Sequence, residues 1–281
     1  MIREIAGRHN DSIKLAQKLQ KKRHRRDRAL FVCEGFDLLL AAVRAGELPV
    51  EVLVRKDLLD RLPAELLSEA EEDELDIGVC EEEVMAQASA LGGAADVVCV
   101  FEAVEWSLGD LAIDAGVTVY VAGVGDPGNV GTIVRSAVAF GAVGVICSPG
   151  TADPYGPKAL RAGMGAQFLT RVVVEVTPGD IAAKLEAEGR RGGLVPQVVV
   201  ADLQGDVEAR DLSMEGPAIL VLGAERGGLP EFSTPTRRVV IPQAGFDSLN
   251  VAMAGTILLY ELTQERLTGG RLGKAGEGLL A

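Results

Sequence analysis

Two histidines and four cysteines are all that this 281-residue chain contains of those residues, and each shortage closes off a chemistry. His9 and His24 both lie near the N-terminus and no G-x-S-x-G elbow occurs, so a hydrolase triad lacks its material. Cys33, Cys80, Cys99 and Cys147 fall inside or at the ends of apolar runs, with no C-x-x-C pair among them. No metal site and no disulfide framework is expected, and the four read as small buried hydrophobes. Long apolar runs are missing too: stretches such as Ala137–Cys147 are too short to cross a bilayer and contain glycine, so no membrane span is expected. Residues 1–10 are mixed and charged, without the apolar centre of a secretory signal, which points to a cytoplasmic protein. No repeat of fixed period is visible.

What is present is an ordinary globular composition, 48% apolar and 25% charged, with a formal charge of −13. That charge is unevenly spread. Residues 1–30 hold ten Lys or Arg against three Asp or Glu, a local +7 that leaves −20 for the remainder. A uniformly basic nucleic-acid-coating protein is excluded, but a protein that meets a polyanion with one end is not. From Asp11, the apolar residues Ile13, Leu15, Ala16 and Leu19 recur at helical spacing with Lys14, Lys18, Lys21 and Lys22 on the polar side. Short apolar strands at 30–33, 50–54, 75–79 and 97–101 then alternate with helical stretches. The acidic run Glu69–Glu74 reads as a solvated surface. The pattern lapses around 102–116 and resumes with strands at 117–122, 143–147, 172–174, 198–201, 219–222 and 239–241. A helix at 130–140 follows the first of these, and a final helix spans about 249–267. Apolar strands separated by helices predict a parallel sheet covered on both faces. The domains expected are 1–104, a linker 105–116, a second domain 117–270 and a tail 271–281.

Gly123, Gly125 and Gly128 spell G-x-G-x-x-G between a strand and a helix, the setting of a dinucleotide fingerprint. The acid that should hold the ribose at the end of the next strand is missing, Asp153 comes too late, and Pro127 removes a phosphate-binding N–H. An NAD-linked oxidoreductase is therefore the weaker reading. Gly223–Gly228 lacks the G-K-[ST] of a nucleoside-triphosphate loop. Asparagine occurs only at Asn10, Asn129 and Asn250. Asn129 opens the stretch Asn129-Val130-Gly131-Thr132-Ile133-Val134-Arg135, in a helix whose Ile133, Ala137 and Phe140 face the core and turn Arg135 away from it. Asn129 reads locally as a helix cap and Arg135 as a surface charge. A second stretch, Leu222-Gly223-Ala224-Glu225-Arg226-Gly227-Gly228, leaves an apolar strand. In the third, Ile241-Pro242-Gln243 to Ser248-Leu249-Asn250-Val251, a strand gives way to the last helix, which Ser248 or Asp247 is placed to cap.

Taken in this order and at these separations, the three stretches resemble the three motifs of the SpoU (TrmH) family of SPOUT-class RNA methyltransferases. The N-terminal part resembles that family's substrate-binding domain, a ribosomal-protein-like α/β module. Asn10, Ile13 and Lys14 fall on its N-x-x-I-K helix, Arg23 and Arg25 on its basic turn, and Phe31, Glu34 and Gly35 on its F-x-x-E-G segment. The resemblance covers roughly residues 3–268. It implies an α/β SPOUT domain threaded into a deep trefoil knot, a homodimer of those domains, and S-adenosylmethionine as the methyl donor to a ribose 2′-hydroxyl. Ribosomal RNA is favoured over transfer RNA because a separate binding domain is present, and a non-catalytic RNA-binding protein on the same fold is the rival. The resemblance places Arg135 at the catalytic centre with Asn129, Glu225, Ser248 and Asn250 around it. It places the cofactor against Leu222, Gly223, Gly228, Ile241 and Leu249, largely through main-chain groups. Because a guanidinium stays charged at ordinary pH, the role expected of Arg135 is to grip a phosphate and stabilise the forming alkoxide. Two departures from the family pattern stand out: Gln243 replaces the usual Met, and the stretch 242–248 is one residue short. RNA binding is expected from Asn10, Lys14, Lys18, Lys21, Lys22, Arg23, Arg25, Arg26 and Arg28.

Overall fold

The computed structural model describes residues 1–7, 9–90, 95–212, 216–223, 235–245 and 248–269, with side chains as far as Gln264. The chain divides into two compact units. The first comprises Met1–Glu105 and also takes up Asp153–Leu169, a segment that the sequence alone assigns to the C-terminal domain.

In the first unit the elements run β1 (Ile2–Ile5), α1 (Asp11–Leu19), α2 (Lys22–Arg28), β2 (Leu30–Glu34), α3 (Phe36–Arg44), β3 (Glu51–Arg55), α4 (Ala64–Glu71), β4 (Asp76–Cys80), α5 (Glu82–Ala88) and β5 (Val97–Glu102). The sheet order is β1-β4-β3-β5-β2, parallel through β1, β4 and β3 and antiparallel through β3, β5 and β2. Alternating strand residues feed two cores. Val32, Leu53 and Val98 join Ile13, Ala16 and Leu19 of α1 on one face, while Phe31, Val52, Val54 and Phe101 join Leu39 and Leu66 on the other. Strand periodicity of two makes this division unavoidable once one register is chosen. Cys33, Cys80 and Cys99 of this unit are buried and in no disulfide. Cys33 stands opposite Cys99 across the β2–β5 ladder, and burial pushes the Cys80 thiol up to about 11, so these thiols are unreactive at neutral pH.

Two features of this unit escape local pattern reading. Arg23 and Arg25, expected on a basic turn, lie in α2, a helix with no apolar residue and therefore no period to detect. It is held from outside. Arg25 is 7% exposed; its Nε and Nη2 both donate to Asp153 Oδ2, at 2.9 and 2.5 Å, and Nη1 donates to the Leu19 carbonyl at 2.7 Å. The segment that brings Asp153 is anchored by rings: Tyr155 lies 5.1 Å from Phe31 and Phe168 lies 4.9 Å from Phe101, centroid to centroid. It carries the helix α7 (Pro157–Gly163).

The second unit comprises Trp106–Ala152 and the described residues from Thr170 onward. Its elements are β6 (Val117–Ala122), α6 (Pro127–Ala139), β7 (Gly144–Cys147), β8 (Val172–Val173), α8 (Pro178–Arg190), β9 (Gln197–Ala201), β10 (Val207–Glu208), β11 (Ala218–Gly223), β12 (Thr236–Val240) and α9 (Val251–Gly269). Sheet order is β10-β12-β9-β11-β6-β7-β8, and every pairing is parallel, as the uninterrupted apolar strands predict. The chain leaves β6 for β7 and β8 on one side, then returns to place β11 against β6 on the other. Parallel sheets open a ligand crevice beyond the strand C-termini at such a reversal. Helices α6 and α9 pack side by side, joined by a 2.7 Å hydrogen bond between the Ser136 and Thr256 hydroxyls. Gly255 lets α9 lie close on β11, since a Cβ there would sit 2.5 Å from Leu222 Cδ1.

Candidate functional site

At the reversal, β6 ends at Ala122 and the chain turns through Gly123, whose φ of +67° suits glycine. Its N–H donates to the hydroxyls of Ser148 and Thr151, at 2.9 and 3.1 Å. Helix α6 then starts with Pro127 in its first turn and Asp126 as its cap, the Asp126 carboxylate accepting from the Asn129 N–H at 2.8 Å. The cap is thus Asp126, not Asn129. The D-P-x-N spacing carried that signal, since a capping side chain reaches the third helical residue and proline favours the first. A carboxylate on the helix N-terminus also occupies the place a pyrophosphate would take, which weighs further against a dinucleotide at this glycine loop.

Freed from capping, the Asn129 side chain faces the third motif. Its Oδ1 accepts from Asn250 Nδ2 at 2.9 Å across 121 positions of sequence. Asn250 in turn caps α9, its Oδ1 accepting from the N–H groups of Ala252 and Met253 at 2.9 and 3.3 Å. That corrects the expectation of a Ser248 or Asp247 cap: Asn250 is the residue immediately before the first helical position, and Asp247 lies outside the described residues. One amide therefore starts α9 with its oxygen and holds α6 with its nitrogen. Both ends of Asn250 are specified by this arrangement, and an aspartate or leucine could supply at most one of them.

Arg135 is exposed on α6, on the side away from the buried Ile133 and Ala137, as the apolar stripe predicts. Leu222 is fully buried at the end of β11, with Gly223 after it half-buried; Ile241, Ser248, Leu249 and Asn250 are likewise half-buried. Glu225 and Gly228, expected in the catalytic and cofactor sets, lie outside the described residues. Gln243, the departure from the family pattern, has a buried side-chain oxygen, Oε1, without a hydrogen-bond partner.

At the basic end the expected RNA-binding residues separate into three groups. Lys14, Lys18, Lys21, Lys22, Arg23, Arg26 and Arg28 are exposed, with Lys14 bonded to Asp11 at 3.0 Å and Arg23 lying 3.5 Å from Asp27. Asn10 caps α1, its side chain accepting from the Ser12 N–H at 2.9 Å. Arg25 is removed from the RNA-binding set, because its guanidinium is buried and spent on Asp153 and Leu19. Among the described residues no group of His, Cys, Asp and Glu is arranged to hold a metal ion, and no helix is long and apolar enough to cross a membrane.

The protein thus holds a parallel α/β unit with an asparagine bridge between two helix starts and a second α/β unit with a basic helical end. Residues 116–260 match the SpoU rRNA Methylase family and residues 10–98 match an MRM3-like substrate binding domain, and the chain belongs to the SpoU rRNA methylase family. It is 28% identical to the 23S rRNA (guanosine(2553)-2′-O)-methyltransferase RlmP of Bacillus subtilis over 93% of this chain and 99% of that protein. It is 39% identical to the 23S rRNA (uridine(2479)-2′-O)-methyltransferase of Streptomyces viridochromogenes over 51% of this chain, a match that spans about half the length of that relative, 50%. Among solved structures, the AdoMet-bound rRNA methyltransferase from Sinorhizobium meliloti is similar at a TM-score of 0.79 and 29% identity, covering 95% of this chain and 99% of that one.

Proposed function

We propose that this protein transfers a methyl group from S-adenosylmethionine to a ribose 2′-hydroxyl of ribosomal RNA in the cytoplasm. The observation that carries the reading is the Asn129–Asn250 bond, which draws the first and third family motifs together at the crevice end of the sheet. The residues there fit the cofactor. Half-buried Ile241 offers apolar surface just past β12, Leu222 and Gly223 offer main-chain groups at the end of β11, and the orphaned Gln243 Oε1 is an acceptor of the kind that a ligand donor satisfies. When bound, S-adenosylmethionine supplies an electrophilic methyl carbon on a sulfonium centre. Asn129 and Asn250 hold the two helix starts in fixed relation, so the RNA ribose meets an already formed surface and little ordering is left to the reaction itself. Arg135 presents five N–H donors to solvent, which suits it to grip the phosphate beside the target ribose and to stabilise the negative charge that develops on the 2′-oxygen as the hydroxyl proton passes to solvent water. Glu225, which lies outside the described residues, is assigned to orienting either that guanidinium or the substrate.

The assembly proposed is a homodimer of the second units. Met253, Ile257 and Tyr260 of α9, spaced i, i+4, i+7, are 62%, 38% and 50% exposed, and Tyr260 meets Phe140 edge-on at 5.9 Å. Three large apolar residues on one helical stripe favour burial against a second copy. Tyr260→Glu is expected to convert a dimer to a monomer in sedimentation velocity; a wild-type monomer at micromolar concentration would remove this part of the proposal. The trefoil knot belongs to the same reading. Supporting it is the approach of the 202–206 loop to β12, where a Cβ on Gly205 would stand 2.7 Å from the Val239 and Val240 backbone, as a chain drawn past another strand requires.

The test is incubation of the purified protein with methyl-labelled S-adenosylmethionine and 23S rRNA. Label is expected in an alkali-resistant dinucleotide, because a 2′-O-methyl group blocks cleavage at its own phosphodiester. Label on a base would refute the ribose assignment, and tight RNA binding without transfer would favour the non-catalytic reading.

A further inference from the structure

We infer that Gln243 is a cofactor-specificity residue, its Oε1 accepting a hydrogen bond from the exocyclic amino group of the adenine. The inference rests on the proposed S-adenosylmethionine site. Its starting point is an imbalance: a side-chain amide oxygen is buried without a donor, although buried polar atoms are ordinarily paired and an unpaired one is destabilising. Gln243 lies two residues beyond Ile241 and three beyond the end of β12, on the segment that crosses from that strand to α9. It therefore occupies the crevice end of the parallel sheet, where ligands of such sheets bind. An apolar residue of the same length would leave no unsatisfied acceptor, so a glutamine here makes sense if a donor arrives with the ligand.

Three donors belong to S-adenosylmethionine: the methionine ammonium, the ribose hydroxyls and the adenine 6-amino group. Ile241, half-buried two positions before Gln243, supplies apolar surface rather than charge, which suits the flat purine and not the ammonium. A neutral carbonyl oxygen is the right partner for an N–H of a neutral ring. The 6-amino group also distinguishes adenine from hypoxanthine, so this single contact makes the site selective for the amino purine.

The experiment compares S-adenosylhomocysteine with S-inosylhomocysteine by titration calorimetry on the ligand-free protein, in wild type, Gln243→Met and Gln243→Glu. Wild type is expected to prefer the adenosyl compound, and Gln243→Met to lose about tenfold of that preference. Gln243→Glu, which keeps an acceptor at the same reach, retains the preference even if overall affinity changes. Repeating the comparison with 5′-methylthioadenosine and 5′-methylthioinosine removes the amino-acid arm and should leave the difference intact; loss of the difference there would move the contact to the ammonium and overturn the assignment. Equal preference in wild type and Gln243→Met overturns it as well. Failure of wild type to bind S-adenosylhomocysteine at all sinks the cofactor reading itself, a separate result. A ligand-independent check exists: removing an orphaned acceptor should leave the melting temperature of unliganded Gln243→Met at or above that of wild type, and a lower value counts against the inference.

Discussion

Arg135→Ala is expected to slow single-turnover methyl transfer by about 10²–10³-fold, the range seen when one donor to a developing oxyanion is lost, while S-adenosylhomocysteine affinity stays within about threefold. The prediction is clean because the side chain is exposed and stands opposite the buried face of α6. Alanine in an exposed helical position is at least as good a helix former as arginine, so melting temperature should not fall and a lost rate cannot be blamed on unfolding. Arg135→Lys separates two roles. If Arg135 serves only as a positive charge near the phosphate, lysine restores most of the rate; if the fork geometry grips two oxygens, it restores little. Full activity in Arg135→Ala with unchanged RNA binding would remove this residue from the mechanism.

The second large effect concerns the basic end. Reversing Lys18, Lys21, Lys22 and Arg23 to Glu should weaken RNA binding by about 10²–10³-fold at moderate salt and flatten the log–log salt dependence by about 3, because each lost phosphate contact releases fewer counterions. These four are exposed on α1, α2 and the turn between them, so the fold should tolerate the change. Arg25 belongs in no such set. With its three nitrogens committed to Asp153 and Leu19, Arg25→Glu puts two carboxylates together in a buried place, at a cost of about 3–5 kcal/mol. A charge-reversal series that included Arg25 would confuse unfolding with loss of RNA contact. Affinity and salt slope unchanged in the quadruple variant would mean that RNA binds elsewhere.

Both predictions depend on side chains whose direction the sequence encodes through helical periodicity. The stripe Ile133, Ala137, Phe140 is enough to turn Arg135 outward, and Ile13, Ala16, Leu19 are enough to turn Lys14 and Lys18 outward; the structure agrees at each. Periodicity failed where it has nothing to act on. Residues 22–28 are polar throughout, and the burial of Arg25 comes from a carboxylate 128 positions away. Strand β1, four residues with one buried side chain, is specified by its parallel ladder to β4, a partner that no local window contains. The two cap assignments failed for a nearer reason. Several polar residues stand before each helix, and the backbone angles at the boundary choose among them, so Asp126 and Asn250 took the roles that Asn129 and Ser248 or Asp247 could equally have filled.

The amino-acid sequence by itself determined the alternation of apolar strands with helices, the basic character of one end and the three motif stretches, because each is written in residues that are neighbours along the chain. Only the tertiary structure decided that β11 lies against β6, that Asn250 spans from α9 to Asn129, that Asp153 pairs with a buried Arg25, and that Gln243 keeps an unpaired oxygen. Those outcomes depend on which distant segments meet, and the free energy of such meetings belongs to packing and hydrogen-bond satisfaction across the whole unit, which no stretch of local pattern contains.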